Sequence, residues 1–148
     1  MGVVHITLNG MPYVVPDTYT ILEAAREAGI KIPTLCFLKD LNETGACRVC
    51  VVEVEGARSL VTACNMKVSE GMKVHTHSSK VLDSRRMTVE LLLANHNVEC
   101  TTCVRNHNCE LKQLSNDLGC TGRHFKGERR ETIYRDDSYS IVRDTSKC

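Results

Sequence analysis

The chain has 148 residues and a net charge of +1; that length suits one domain or two small ones, and so neutral a balance gives no argument for a nucleic-acid partner. Aromatic residues make up 4% of it and Trp is absent, so large apolar side chains are scarce and bound metal is a ready source of the missing stability. Residues 1–15 lack the basic start and apolar run of a signal peptide, no stretch is apolar for long enough to insert in a membrane, and Ile6 breaks the myristoylation pattern, which together predict a cytoplasmic protein.

Residues 3–8 alternate and are rich in β-branched side chains, Asn9-Gly10 follows, and residues 11–15 form a second run, so a hairpin with a type I′ turn is predicted. Pro16-Asp17 ends the second strand. Thr20-Ile21-Leu22-Glu23 reads as a capping box and predicts a helix to about Ala28, with Gly29 at the C′ position. Pro33 begins the approach to Cys36. A loop containing Cys47 and Cys50 leads into a predicted strand over 51–54; Gly56 turns the chain, 59–62 returns towards Cys64, and Gly71 precedes a strand over 73–76. Hairpin, helix, cysteine loop and further strands in that order predict an α+β fold of the β-grasp kind, one helix laid across a mixed sheet.

Residues 79–95 contain neither Gly nor Pro and carry an apolar face through Val81, Leu82, Met87, Val89, Leu91, Leu92 and Leu93, which predicts a helix. Arg85 and Arg86 are read as its solvated face. A shorter helix is predicted over 110–118, with Gly119 as its stop. The polar, pattern-poor stretch 121–147 reads as a connecting segment.

Nine cysteines in a reducing compartment point to metal or redox chemistry and away from disulfides. Cys36, Cys47, Cys50 and Cys64 form a first set, with the C-x2-C pair in Gly45-Ala46-Cys47-Arg48-Val49-Cys50 aiming two thiolates at one centre. Zinc ribbons pair two such knuckles; here Cys36 and Cys64 are single, and that asymmetry favours a [2Fe–2S] cluster over zinc. His96, Cys100, Cys103 and Cys109 form a second set. His96 directly follows the apolar helix, whereas His107 reads as an ordinary surface or core residue. One imidazole and three thiolates suit zinc or a [4Fe–4S] cluster, so a zinc-binding interaction module stays open on spacing alone. Cys120 has no partner at ligand spacing and reads as a free thiol. The chain shows no residue poised as general base or activated nucleophile, and no Walker A or Rossmann glycine motif.

Across its whole length the chain resembles the N-terminal iron–sulfur region of [FeFe]-hydrogenase large subunits of the NAD(P)-linked, electron-bifurcating type. A homologous region opens the large iron–sulfur subunit of respiratory complex I and of some NAD-linked formate dehydrogenases. The resemblance rests on Cys36, the Gly45–Cys50 loop, Cys64, Asn95-His96, Cys100-Thr101-Thr102-Cys103 and Cys109. The first set departs from the plant-type pattern, which C-x4-C leads, and fits the hydrogenase and complex I variant. The resemblance implies a β-grasp domain over 1–78 holding one [2Fe–2S] cluster on Cys36, Cys47, Cys50 and Cys64. It implies a small helical domain over 79–120 holding one [4Fe–4S] cluster on His96, Cys100, Cys103 and Cys109. It implies further that 121–148 links to a downstream ferredoxin-like domain whose first [4Fe–4S] ligand is Cys148, so that the chain is expected to stop where a third motif begins. The module is expected to pass electrons between a flavin- and NAD(P)-binding subunit, with a small [2Fe–2S] subunit, and an H-cluster lying outside these residues. A formate dehydrogenase or complex I-type parent is the alternative.

Overall fold

A computed structural model describes residues 2–122, 124–127, 134–135, 138–141 and 143–144. Cys148 and half of the expected linker lie outside them. The chain divides into two compact units, Met1–Arg85 and Arg86–Cys148.

In the first unit, β1 (Val3–Leu8) and β2 (Met11–Pro16) pair antiparallel in register Leu8↔Met11. Asn9 and Gly10 both take positive φ, 51° and 86°, as the predicted type I′ turn requires. Along β1 the side chains alternate, so Ile6 and Leu8 enter the core while Val3 and His5 face out. Helix α1 (Ile21–Glu27) opens on the predicted capping box. The Glu23 amide donates to Thr20 Oγ1 at 3.2 Å, and the Thr20 amide donates to Glu23 Oε2 at 2.9 Å. Its Ile21, Leu22, Ala24 and Ala25 are buried against the sheet; the two alanines let helix and sheet approach closely, and Leu22 alone contributes about 1.5–3 kcal/mol by burial. Gly29 takes φ 72° beyond the helix end, the left-handed stop expected of it.

Three more strands complete the sheet: β3 (Val51–Val54), β4 (Val61–Thr62) and β5 (Lys73–His75). The order is β2-β1-β5-β3-β4, with β1 parallel to β5 and every other pair antiparallel. The expected helix across a mixed sheet is therefore present. Both later strands are shorter than predicted. Leu60 gives its carbonyl to the Arg48 side chain at 3.5 Å, and Thr76 ends β5 by donating its amide to Asn9 Oδ1 at 2.8 Å.

Helix α2 (Ser79–Asn95) has the predicted span, but the reading of Arg85 as solvated is wrong. Arg85 is 2% exposed, whereas Arg86 is exposed as expected. Positions 81, 85 and 89 fall four residues apart on one helix face, and Val81 and Val89 are fully buried, so Arg85 shares their apolar stripe.

In the second unit, α3 (Glu110–Leu118) buries Leu114 and Ser115 and ends on Gly119 at φ 67°. Arg86 Nε donates to the Leu118 carbonyl at 3.1 Å, joining the two helices. Buried Glu90 accepts the Thr121 amide at 2.7 Å and stands 3.5 Å from His124 Nδ1. The two-residue strands β6 (Tyr134–Arg135) and β7 (Arg143–Asp144) pair antiparallel within the stretch read as a connection.

Candidate metal centres

The first cysteine set is assembled by the β3–β4 hairpin and by α1. Cys50 immediately precedes β3 and Cys64 follows β4; the register Val51↔Thr62 continues as an Ala63 amide bond to the Cys50 carbonyl at 3.1 Å. Both cysteines are thereby buried at one end of the hairpin. Two amides at the start of α1 have no partner within the helix, and the Cys64 segment supplies them: Ile21 donates to the Met66 carbonyl and Leu22 to the Ala63 carbonyl, each at 2.9 Å.

Both turns of α1 hold the other side of the loop. Arg26, in the last turn, lies 5.1 Å above the centre of the Phe37 ring, and Glu23, in the first, pairs with Lys39 at 3.2 Å. Cys36 and Cys47 are half-buried. Between Cys36 and Cys47, Leu38 and Asn42 exchange backbone hydrogen bonds at 2.8 and 2.9 Å, and Asn42 Nδ2 donates to the Cys36 carbonyl at 2.9 Å. Gly45 has φ 65° and is packed so closely that a Cβ would lie 3.0 Å from Asn65 Nδ2 and 3.2 Å from Thr62 Oγ1. Arg48 is also left-handed, at φ 59°, a conformation that costs about 1–2 kcal/mol for an L-residue.

These turns aim backbone N–H groups at sulfur, as an anion-binding nest does. The Cys47 amide donates to Cys36 Sγ at 3.4 Å. Burial pushes the Cys47 thiol up, but the amides of Val49, Cys36 and Leu35 outweigh it and hold that thiol below its ordinary range. Burial pushes Cys36 up, against the amides of Cys47 and Ala46. Burial also pushes Cys64 up to about 12, and the sulfurs of Cys50, Cys36 and Cys47 act in the same direction. All four sulfurs thus share one electrostatic neighbourhood. Among the described residues no three His, Cys, Asp or Glu side chains stand as a group that could hold a metal ion. The donor chemistry, four thiols on one amide-lined loop, fits a cluster that spreads its thiolates over two irons.

The second set lies where α2 gives way to α3. His96 is half-buried just past the last residue of α2, its amide donating to Leu93 at 3.2 Å. Cys100–Thr102 form a single 3-10 turn that brings Cys103 back on Cys100, N to O 3.2 Å. Cys109 caps α3, its Sγ accepting the Lys112 amide at 3.4 Å. Two adjoining cavities share His96, Cys109 and Leu111 in their walls. One of about 620 Å³ adds Cys103, and one of about 420 Å³ adds Cys100. His107 is exposed and lines neither. Cys120 does line the smaller cavity, and its Sγ lies 3.8 Å from the Arg86 carbonyl; spacing alone gave no sign of that position. Three thiols and one imidazole around a shared cavity fit an iron–sulfur cluster chemically.

Residues 2–79 match the family described as "2Fe-2S iron-sulfur cluster binding domain", and residues 85–124 match "NADH-ubiquinone oxidoreductase-G iron-sulfur binding region". The chain is 40% identical to the NADP-reducing hydrogenase subunit HndD of Solidesulfovibrio fructosivorans, over 100% of its own length and 26% of that protein's. It is 41% identical to the NADPH-Fe(3+) oxidoreductase subunit alpha of Geobacter sulfurreducens, over 98% of its own length and 17% of that protein's. Among solved structures, an NAD+-reducing [NiFe]-hydrogenase in the H2-reduced state superposes with a TM-score of 0.89 at 29% identity, covering 98% of this chain and 61% of that one. The chain therefore spans only part of each of these proteins. No helix of the described residues is long and apolar enough to cross a membrane. With one match covering more than half of its length and a second following it, the chain belongs to the 2Fe-2S iron-sulfur cluster binding domain family and carries the oxidoreductase-G iron–sulfur region directly after that domain.

Proposed function

We propose that the chain is an electron-transfer module of an NAD(P)-linked oxidoreductase, with Cys36, Cys47, Cys50 and Cys64 holding a [2Fe–2S] cluster and His96, Cys100, Cys103 and Cys109 holding a [4Fe–4S] cluster. The observation that carries this reading is the gathering of each ligand set: the first by the β3–β4 hairpin and α1, the second around one pair of cavities. When bound, the two clusters supply one-electron acceptor and donor sites. The chain's own residues do the rest. Backbone amides at the Cys36–Cys47 turn stabilise anionic sulfur, the buried Cys50 and Cys64 exclude water from one side, and the start of α3 backs Cys109.

In this reading the domains run 1–78 and 79–120, and 121–148 leads towards a further [4Fe–4S] site begun by Cys148. Electrons pass between a flavin- and NAD(P)-binding subunit, with a small [2Fe–2S] subunit, and a catalytic region, all within a cytoplasmic complex. The similarity to an NADP-reducing hydrogenase subunit supports a hydrogenase parent, and we assign its catalytic region to the [FeFe] type with an H-cluster. A second reading, a [NiFe]-type NAD+-reducing complex, is favoured by the structural match. The coding sequence beyond Cys148 separates the two.

The direct test is anaerobic iron and sulfide analysis with EPR of the reduced chain. About six irons are expected, as one [2Fe–2S] and one [4Fe–4S] cluster. Cys47→Ser is expected to remove the [2Fe–2S] signal and leave the other. Stoichiometric zinc with no reduced-state signal would show a zinc-binding module instead, and joint loss of both signals in Cys47→Ser would refute the division into two sites.

A further inference from the structure

Arg85 is an expensive residue to place where it is. It is 2% exposed. One nitrogen, Nη2, donates to the Val51 carbonyl at 2.7 Å, while Nε is buried with no hydrogen-bond partner. Burying a cation without a counter-ion costs several kcal/mol, and an apolar residue between Val81 and Val89 would complete the stripe of α2 without that cost. Among the described residues no carboxylate pairs with the guanidinium; the ionisable side chain that acts on it is that of Cys50, the residue directly before Val51. Burial draws the guanidinium down to about 10, so it keeps its proton at neutral pH.

A cation held beside a candidate ligand acts on whatever charge that ligand carries. Four thiolates around an oxidised [2Fe–2S] core make a dianion, and one added electron, with no proton, makes a trianion. A fixed positive charge stabilises the trianion more than the dianion. We infer that Arg85 is the buried counter-charge of the [2Fe–2S] cluster, held on the Val51 carbonyl, one residue from Cys50, so as to raise that cluster's reduction potential. The inference rests on the assignment of Cys36, Cys47, Cys50 and Cys64 as ligands. Arg85 is a tuning residue: it hydrogen-bonds the first residue of β3 and supplies charge, and the four cysteines keep the ligand role. At an effective dielectric of about 20, a unit charge within about 10 Å changes a one-electron equilibrium more than tenfold.

The experiment is an EPR-monitored redox titration of the anaerobically purified chain with dithionite, for wild type, Arg85→Gln and Arg85→Lys. Arg85→Gln removes the charge and keeps a donor; Arg85→Lys keeps the charge. Reduction of the [2Fe–2S] centre in Arg85→Gln is expected to become at least tenfold less favourable, a fall of about 59 mV for a one-electron couple, with Arg85→Lys closer to wild type. The [4Fe–4S] potential in the same samples is the internal reference, since none of its candidate ligands belongs to the unit that contains Arg85 and Cys50. A [2Fe–2S] signal that titrates at the wild-type potential in Arg85→Gln overturns the inference and leaves the ligand assignment standing. If Arg85→Gln folds but takes up no cluster while Arg85→Lys does, the cluster requires the charge and the inference holds. Failure of both variants to load makes Arg85 a structural tether and overturns it. Wild-type chain with no [2Fe–2S] signal refutes the ligand assignment itself, and the inference falls with it.

Discussion

Gly45→Ala tests how the cysteine loop is held. Two separate penalties are expected at this position. The backbone has φ 65°, where a Cβ costs roughly 1–2 kcal/mol against the following carbonyl. The new methyl group also meets Asn65 Nδ2 at 3.0 Å and Thr62 Oγ1 at 3.2 Å, both on the segment that carries Cys64. Gly71 supplies the control, because its φ is 72° and nothing lies within 4 Å of a Cβ there. Gly71→Ala should show the backbone penalty alone. Each kcal/mol moves the midpoint of a domain this size by roughly 4–8 °C, so Gly71→Ala should melt roughly 4–16 °C below wild type and Gly45→Ala lower still. The two should differ more sharply in cluster retention. Asn65 or the Gly45 loop must give way to fit the methyl group, and either movement shifts Cys47 relative to Cys64. Iron release to a ferrous chelator, followed by colour under anaerobic conditions, should therefore be faster in Gly45→Ala than in Gly71→Ala. Equal melting points and equal release rates would refute the claim that Gly45 is a packed position and would reduce it to an ordinary turn glycine.

Two further outcomes are expected. His96→Cys replaces a neutral ligand with an anionic one, so it should keep a [4Fe–4S] cluster and lower its potential, while His96→Ala should open an iron to water and His107→Ala should change little; EPR redox titration of the three decides, and disruption by His107→Ala alone would show the wrong histidine was named. Thr20→Ala should cost roughly 0.5–2 kcal/mol of stability by thermal melting. The Thr20 amide, with help from Lys39, holds the Glu23 carboxyl below its ordinary value of 4.5. The stability this provides is complete above that value and is lost as pH falls through the lowered one, so Glu23→Gln should be less stable than wild type at pH 7 and lose that deficit on acidification.

The parts of the fold legible in the sequence are those fixed by local chemistry. Asn9-Gly10 encodes a turn in two residues, Thr20 and Glu23 encode a helix start in four, and Gly119 encodes a stop in one. The helix Ser79–Asn95 follows from an apolar face that no breaker interrupts. Misreadings arose where a distant partner decides. Thr76 leaves β5 for the side chain of Asn9, and Leu60 leaves β4 for Arg48; neither choice is visible within its own segment. The four-residue spacing of Val81 and Val89 places Arg85 on the buried stripe, whereas its charge points to solvent. The pairing of Tyr134–Arg135 with Arg143–Asp144 joins two polar pairs too short to show alternation. Among the candidate ligands, spacing grouped both sets, and only the folded chain puts Cys120 in the cavity wall beside His96.

The position of β5 has a consequence for how the molecule is made. It is the last strand of the first unit in sequence, yet it lies in the middle of the sheet, between β1 and β3. Until it inserts, no strand pairing joins the β1–β2 hairpin to the β3–β4 hairpin, and a lone two-stranded hairpin is marginal in water. All four cysteines of the first set are synthesised before β5, so they leave the ribosome on a chain that has no sheet yet to bury them. In that interval Cys50 and Cys64 lack the sheet that buries them in the folded unit. A chain stalled with Cys64 already outside the ribosome and Lys73–His75 still within it would present the complete first ligand set on an unfinished scaffold, and insertion of those three residues then closes it.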